Sequence, residues 1–282
     1  VNYLLYFRNE FKNVDKKNSF FIVHGDTVSS LIGAIIAKTY RIKLVHIESG
    51  LRSYNFFEPF PEEINRFLIS RLANVHFCPN SWSVKNLKKI GGLKINTMNN
   101  TLIESLQKSL KITKRLKYTN KKYFLLVLHR QEHIMYKRKQ AIKYLNLLTG
   151  YAKTDLKCIL VLHKLTEKLL IEENLMGKLK SNKNVILVPR LPYIEFIHLM
   201  KGAEFIATDG GSNQEEAYYL GKPCLILRKV TERIEGLGKN AILCNEDEKL
   251  IRNFIQNYKK YRKSPVKISI HPSKIIVNYL TK

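Results

Sequence analysis

SFFIVHGDTVSSLIGAIIAKTY, residues Ser19–Tyr40, is the stretch whose reading decides the fold. Its first part, SFFIVHGD, reads as a buried strand that stops at Gly25 and Asp26. The rest opens on Thr and Ser and then spaces its apolar residues as one face of a helix does. The alternation continues outward from there. KLVHI (Lys43–Ile47) predicts a strand, PEEINRFLISRLA (Pro61–Ala73) a helix with Pro at its start, and VHFC (Val75–Cys78) another strand. Strands alternating with helices in this way call for parallel strands joined by right-handed crossovers.

A Lys-rich stretch from Lys108 to Lys122 interrupts the pattern, which then restarts. YFLLVL (Tyr123–Leu128), KCILVL (Lys157–Leu162), NVILV (Asn184–Val188), EFIAT (Glu204–Thr208) and PCLIL (Pro223–Leu227) read as strands of a second sheet. Helical periodicity lies between them, at Ile194–Lys201 and Asn213–Leu220, and a long polar-apolar helix is predicted from about Asp247 to Tyr261. The expected architecture is α/β, with two Rossmann-like doubly wound domains facing a cleft. The first spans 1–108 and is completed by a C-terminal helix at 271–282, the second spans 109–270, and the Lys111–Lys122 run is a solvated connection. Ligands of open α/β sheets bind at the carboxyl ends of strands, so the site residues are sought there.

A chain of 282 residues with 45% hydrophobic content has enough apolar material for two modest cores. Its 49 Lys+Arg against 23 Asp+Glu give a net charge of +26, which taken alone points to a polyanion. The lysines are dispersed from Lys12 to Lys282, however, and no helix carries a clean basic face with base-reading side chains. Nucleic acid is therefore not expected as a partner. The four cysteines, at 78, 158, 224 and 244, form no CxxC pair and read as reduced and buried. Apolar runs stay short of a membrane span and the first residues lack a signal-peptide layout, so a soluble, cytoplasmic protein is expected.

Polar residues gather just past the strands: His24 and Asp26, His46 and Glu48, His129 and Arg130. In EPFPEEINR (Glu58–Arg66), Glu62 and Glu63 fall in the first turn of a helix, where favourable interaction with the helix dipole, about 0.3–1 kcal/mol each, is the plainest explanation. TDGGSNQEEAYYLGKP (Thr208–Pro223) sets Gly210, Gly211 and Ser212 between a strand and a helix, an arrangement that turns backbone N–H groups toward a phosphate. One turn on, Glu215 or Glu216 is placed to accept hydrogen bonds from a ribose diol, and RKVTER (Arg228–Arg233) supplies guanidinium groups suited to a diphosphate.

Taken in order, GDT (25–27), HIESGLRS (46–53), PFPEEINR (59–66), LHR (128–130), TDGGSNQEEAYYLGKP and TER (231–233) resemble the bacterial non-hydrolysing UDP-N-acetylglucosamine 2-epimerase family. Single motifs of this kind are common; six in series from about Phe20 to Leu243 are specific. The resemblance implies two Rossmann-like domains similar to those of GT-B glycosyltransferases. It also implies a reaction that removes the C2 proton and expels UDP from C1 to leave 2-acetamidoglucal, then returns UDP with protonation on the other face. By motif match, Asp26, Glu48 and Glu62 take the positions of the family's acid-base carboxylates and His129 that of its catalytic histidine. His163, Phe196, Gly210, Gly211, Glu216 and Arg233 take nucleotide-contacting positions, with Arg233 toward the diphosphate and Phe196 toward uracil. Core packing is the competing explanation of Phe196, and a structural pairing with Arg52 that of Glu48. No cofactor and no metal are implied, and the partner expected is a UDP-sugar, with a homodimer as the assembly.

Three departures accompany the match. No GTRPE-type turn precedes Phe20, so the first domain is expected to be incomplete at its start. Gln131, Glu132 and His133 stand where the family usually has Arg-Glu-Asn, and Ser212-Asn213 replace a more usual Gly-Ile. A hydrolysing relative that releases free N-acetylmannosamine, and a nucleotide-binding remnant without activity, stay open beside the epimerase. A GT-B glycosyltransferase shares the expected fold and leaves PFPEE and HIESGLR unexplained.

Overall fold

The computed structural model describes residues 11, 14–113, 118, 120–267 and 269–282. They fall into two compact units, one running to Thr101 and taking in the C-terminal segment, the other Leu102–Lys267. Of the Lys-rich connection, positions 114–117 and 119 lie outside the described residues.

The first unit is a parallel sheet in the order β1 (Phe20–His24), β2 (Lys43–Ile47), β3 (Val75–Cys78), β4 (Leu93–Asn96). Helices α1 (Val28–Thr39), α2 (Glu62–Leu72) and α3 (Ser81–Asn86) connect the strands. Thr27 starts α1 as its N-cap, its hydroxyl accepting from Ser30 N at 3.2 Å, while Ser30 Oγ donates to His24 O at 2.7 Å. Two apolar clusters form: Val23, Leu44, Ala34, Ala37 and Ile69 join the sheet to α1 and α2. Val45, Val75 and Phe77 pack with Ile276 of the C-terminal helix Pro272–Leu280, where Tyr279 meets Phe77 edge-on at 5.7 Å.

The second unit is a six-stranded parallel sheet ordered β10-β9-β8-β5-β6-β7. Its strands are β5 (Lys122–Val127), β6 (Leu156–Leu162), β7 (Val185–Pro189), β8 (Ile206–Thr208), β9 (Cys224–Ile226) and β10 (Ala241–Leu243). Helices α4 (Leu102–Lys111), α5 (Arg138–Gly150), α6 (Lys164–Glu172), α7 (Leu175–Ser181), α8 (Tyr193–Gly202), α9 (Gly211–Tyr219) and α10 (Glu248–Asn257) surround it. From β5 the chain winds outward through β6 and β7, then returns to the other side of β5 and winds outward through β8, β9 and β10. The order reverses between β5 and β8, and that point is where doubly wound sheets open a crevice. The core is continuous around Phe124, Leu126, Leu160, Phe205 and Phe254, with Phe124 and Phe205 stacked at 4.7 Å.

The α/β class with parallel sheets agrees with expectation, and all four cysteines are free and buried. The helix predicted to run from Asp247 to Tyr261 instead ends at Asn257, and Tyr258–Tyr261 form one 3-10 turn. Tyr261 thereby stacks on Phe254, ring centroids 5.2 Å apart. Among the described residues no helix is long and apolar enough to cross a membrane.

Candidate active site

In the first unit the candidate carboxylates sit at neighbouring strand ends. β1 and β2 run in register to His24 and Ile47, and Gly25 N donates to Ile47 O at 3.0 Å, so the Gly25–Asp26 turn lies beside Glu48. Glu48 takes the left-handed conformation at φ +64°, which costs a residue with a Cβ roughly 1–2 kcal/mol. Its carboxylate lies over Gly25, where an added Cβ would come within 3.3 Å of Oε2, and Asn100 Nδ2 donates to Oε1 at 2.6 Å. Asp26 forms an ion pair with Arg66, and its carbonyl accepts from Asn65 Nδ2 at 2.8 Å. Arg66 and Asn65 both belong to α2, so the helix that begins at Glu62 also holds the Asp26 turn.

Glu62 and Glu63, read together from sequence as residues that suit a helix start, have separate fates. Glu63 is fully buried and accepts from Arg52 Nε (2.5 Å), Ser53 N (3.0 Å), Tyr54 N (3.2 Å) and Arg66 Nη1 (3.3 Å). It is the anchor of the loop that follows Glu48. Glu62 is half-buried at the first position of α2, whose N-cap Pro61 makes no side-chain bond. Behind these carboxylates His46 Nε2 meets Gly25 O at 2.8 Å, and burial lowers its pKa to about 4. His46 is therefore a neutral strut at pH 7, not an acid-base group.

In the second unit the polar residues converge on the reversal point between β5 and β8. Val127 pairs with Thr208, which carries His129 and Asp209 to adjacent strand ends. Asp209 is fully buried and its carboxylate accepts from His129 N (3.0 and 3.1 Å), Arg130 N (3.0 Å) and His133 Nδ1 (3.2 Å). Burial opposes its ionisation, yet the imidazoles of His129 and His133 outweigh that and hold the carboxyl well below the usual carboxylate range. The His129 ring lies parallel to that of His163 at 4.7 Å. Burial, with the charges of His129 and Arg190, lowers the His163 pKa to about 4, so His163 is a neutral ring at pH 7.

Gly210 is the N-cap of α9 and Gly211 its first residue. Neither has room for a side chain: a Cβ at Gly210 would stand 2.7 Å from His129 Cε1 and 2.7 Å from Asn213 Oδ1, and one at Gly211 would meet Glu232 Oε1 at 2.5 Å. Around this helix start Arg228 pairs with Glu232 at 2.8 Å, Arg130 approaches the same carboxylate at 3.6 Å, and Arg233 pairs with Glu215. Arg130, Arg228 and Arg233 thus stand around the helix start with Glu232, Glu215 and Asp209, and the positive end of the α9 dipole lies among them. Glu215 is thereby committed to Arg233 and Tyr219 Oη (3.0 Å), whereas Glu216 accepts from Asn213 Nδ2 at 3.0 Å and from the Tyr193 hydroxyl. Burial raises the Glu216 pKa to about 7. Phe196 lies half-buried on α8, one turn beyond Tyr193.

Asp209, His133, Asn213, Tyr193, Arg66 and Asn100 join the candidate site only through the fold. Asp209 and Asn213 lie inside TDGGSNQEEAYYLGKP, where the glycines and Glu215 and Glu216 carry the signal, and His133 is visible in the sequence only as a departure from the family pattern. Among the described residues no group of three or more His, Cys, Asp and Glu could hold a metal ion.

Two Rossmann-like α/β units, with a helix start and a buried Asp-His pair at the reversal point of the second, define an α/β protein of the doubly wound class. The family model described as UDP-N-acetylglucosamine 2-epimerase matches residues 10–272. A protein of Methanocaldococcus jannaschii with that same name is 36% identical over 269 residues, which are 89% of this chain and 72% of the relative. The crystal structure of the M. jannaschii UDP-GlcNAc 2-epimerase in complex with UDP-GlcNAc and UDP superposes with a TM-score of 0.85 at 32% identity, over 99% of this chain and 79% of that one. The Neisseria meningitidis enzyme bound to UDP-GlcNAc gives 0.83 at 32% identity, over 99% and 80%. The chain belongs to the UDP-N-acetylglucosamine 2-epimerase family.

Proposed function

We propose that this chain is an isomerase that interconverts UDP-GlcNAc and UDP-ManNAc for surface polysaccharide synthesis. In the forward direction a carboxylate of the first unit takes the C2 proton, the C1–O bond breaks, and its electron pair leaves with UDP. The remaining 2-acetamidoglucal accepts a proton at C2 on the other face while a UDP oxygen re-forms the bond to C1. Asp26, Glu48 and Glu62 supply acid and base, and His129 faces the departing diphosphate. An unactivated C2–H is a poor acid, so both proton placement and stabilisation of the leaving charge are required.

The start of α9 supports the leaving-group half of this reading: Gly210 is its N-cap and Gly211 its first residue, close to His129, and Arg130, Arg228 and Arg233 stand around it. Glu216 suits the ribose diol better than Glu215, which Arg233 and Tyr219 already occupy. His163 and Phe196 add ring surfaces for the nucleotide, and Arg233 a charge for the diphosphate. The family carries the reading of the protein as a cytoplasmic homodimer, to be checked by light scattering of the purified chain.

The observation that carries the proposal is the pairing of this helix start with His129 at one reversal point, in a chain that superposes on UDP-GlcNAc-bound relatives. Incubation with UDP-GlcNAc in deuterated water, followed by proton NMR, is the test. Deuterium at C2 with UDP-ManNAc formed is the expected result. Free ManNAc with UDP would replace it by the hydrolytic reaction, and a folded sample without exchange would overturn it.

A further inference from the structure

His129 is held by three neighbours and keeps part of its ring exposed. Gly210 lies beneath it, so close that a Cβ there would touch Cε1, His163 stacks against it, and its Nδ1 stands 3.2 Å from Asp209 Oδ1. The same carboxylate binds the backbone N–H groups of His129 and Arg130 and takes His133 Nδ1 on its other oxygen. An ionised carboxylate only accepts hydrogen bonds. His133 Nδ1 hydrogen-bonds the carboxylate, and His129 Nδ1 lies within ion-pair distance of it without hydrogen-bond geometry, so the negative charge of Asp209 favours the proton on Nδ1 of both rings. A flip of the His129 ring would turn a C–H toward the carboxylate in place of Nδ1.

We propose that Asp209 is a positioning residue that fixes His129 as the Nδ1–H tautomer, so that Nε2 is the nitrogen presented to the ligand. The inference rests on the reading of His129 as the catalytic histidine for its consequence, though not for its geometry. Capping of two backbone N–H groups would account for a carboxylate at position 209. It does not account for two ring nitrogens converging on that carboxylate, nor for the glycine that leaves room for one of the rings. His133 adds a second imidazole that shares Asp209 and anchors it from the buried side.

The deciding measurement is long-range proton–nitrogen correlation NMR of the histidine rings in the wild-type chain, with His129 assigned by its loss in His129→Gln. The expected spectrum has the proton on Nδ1 and an unprotonated Nε2 at pH 8; a proton on Nε2 overturns the proposal. This readout needs no activity, so it stands or falls apart from the epimerase reading. Asp209→Asn then tests the consequence. Its kcat for UDP-GlcNAc is expected to fall about 10²- to 10⁴-fold, the usual weight of a proton-transfer group, with KM held within about threefold. Unchanged kcat in a folded Asp209→Asn variant would reduce Asp209 to a backbone cap. Should that variant not fold, the wild-type tautomer decides alone.

Discussion

Glu216 offers a test of the second unit that needs no ligand. It is 2% exposed, and burial raises its pKa from 4.5 to about 7 against the opposing pull of Asn213, Tyr193 and Arg233. In the unfolded chain the same carboxyl titrates near its ordinary value. Between pH 4.5 and 7 the folded protein therefore holds more protons than the unfolded one. Stability from this group is fully present below pH 4.5, falls as pH rises, and is lost once the pH has passed about 7. At 1.36 kcal/mol per pH unit, the interval from 4.5 to about 7 amounts to about 3 kcal/mol.

Glu216→Gln removes the ionisation and keeps the shape, with an amide oxygen left to accept from Asn213. The variant should match the wild type at pH 4.5 and exceed it by about 3 kcal/mol at pH 8.5. For a unit of this size that corresponds to about 6–12 °C in Tm. Thermal unfolding followed by circular dichroism at half-unit pH steps reads the difference, and the comparison of two chains cancels every other titrating group. Parallel curves for the two proteins, separated by the same amount at each pH, would refute the assignment of a raised pKa to Glu216. A gap that opened toward low pH would reverse its sign.

Removal of Glu63 by alanine should cost about 3–5 kcal/mol in chemical denaturation, because Arg52 and Arg66 would lose a buried carboxylate between them. Gly221→Ala should destabilise by more than about 1 kcal/mol, since Gly221 sits at φ +66° with the Lys263 carbonyl against the space a Cβ would fill. Its denaturation midpoint is the check. His46 and His76 both have pKa values lowered to about 4 by burial, so the unfolded chain takes up their protons first. Stability of the first unit should therefore decline as pH falls from 6.5 toward 4, read by the fluorescence of Trp82, the single tryptophan of the chain.

What the sequence made legible follows the physics of each feature. Strand-turn-helix alternation is local: the run from Phe20 to Thr39 folds as β1 and α1 because β-branched and aromatic residues precede a Thr cap and a helical apolar spacing. β4 and β10 went unseen for the opposite reason. LKIN and AIL are only 4 and 3 residues long, and pairing with β3 and β9 decides their conformation more than their own composition does. Glu62 and Glu63 were adjacent letters with one explanation, but a helix turns successive residues by about 100°, which buries one fully and leaves the other half-buried.

The candidate site divides along the same line. Gly210 and Gly211, which alone would suit a plain tight turn, gain weight from Glu215, Glu216 and the arginines of RKVTER that follow, whereas nothing in the local pattern marks Asp209. Its work depends on a partner 80 positions earlier, and only the register of Val127 against Thr208 brings His129 to it. No local pattern encodes that distance. His133 is the instructive case: in the sequence it is only a departure from the family pattern, yet its ring donates to the Asp209 carboxylate. A substitution beside a candidate catalytic residue is thus better read as a change in what holds that residue, and the tautomer of His129 is the property through which such a change would reach the chemistry.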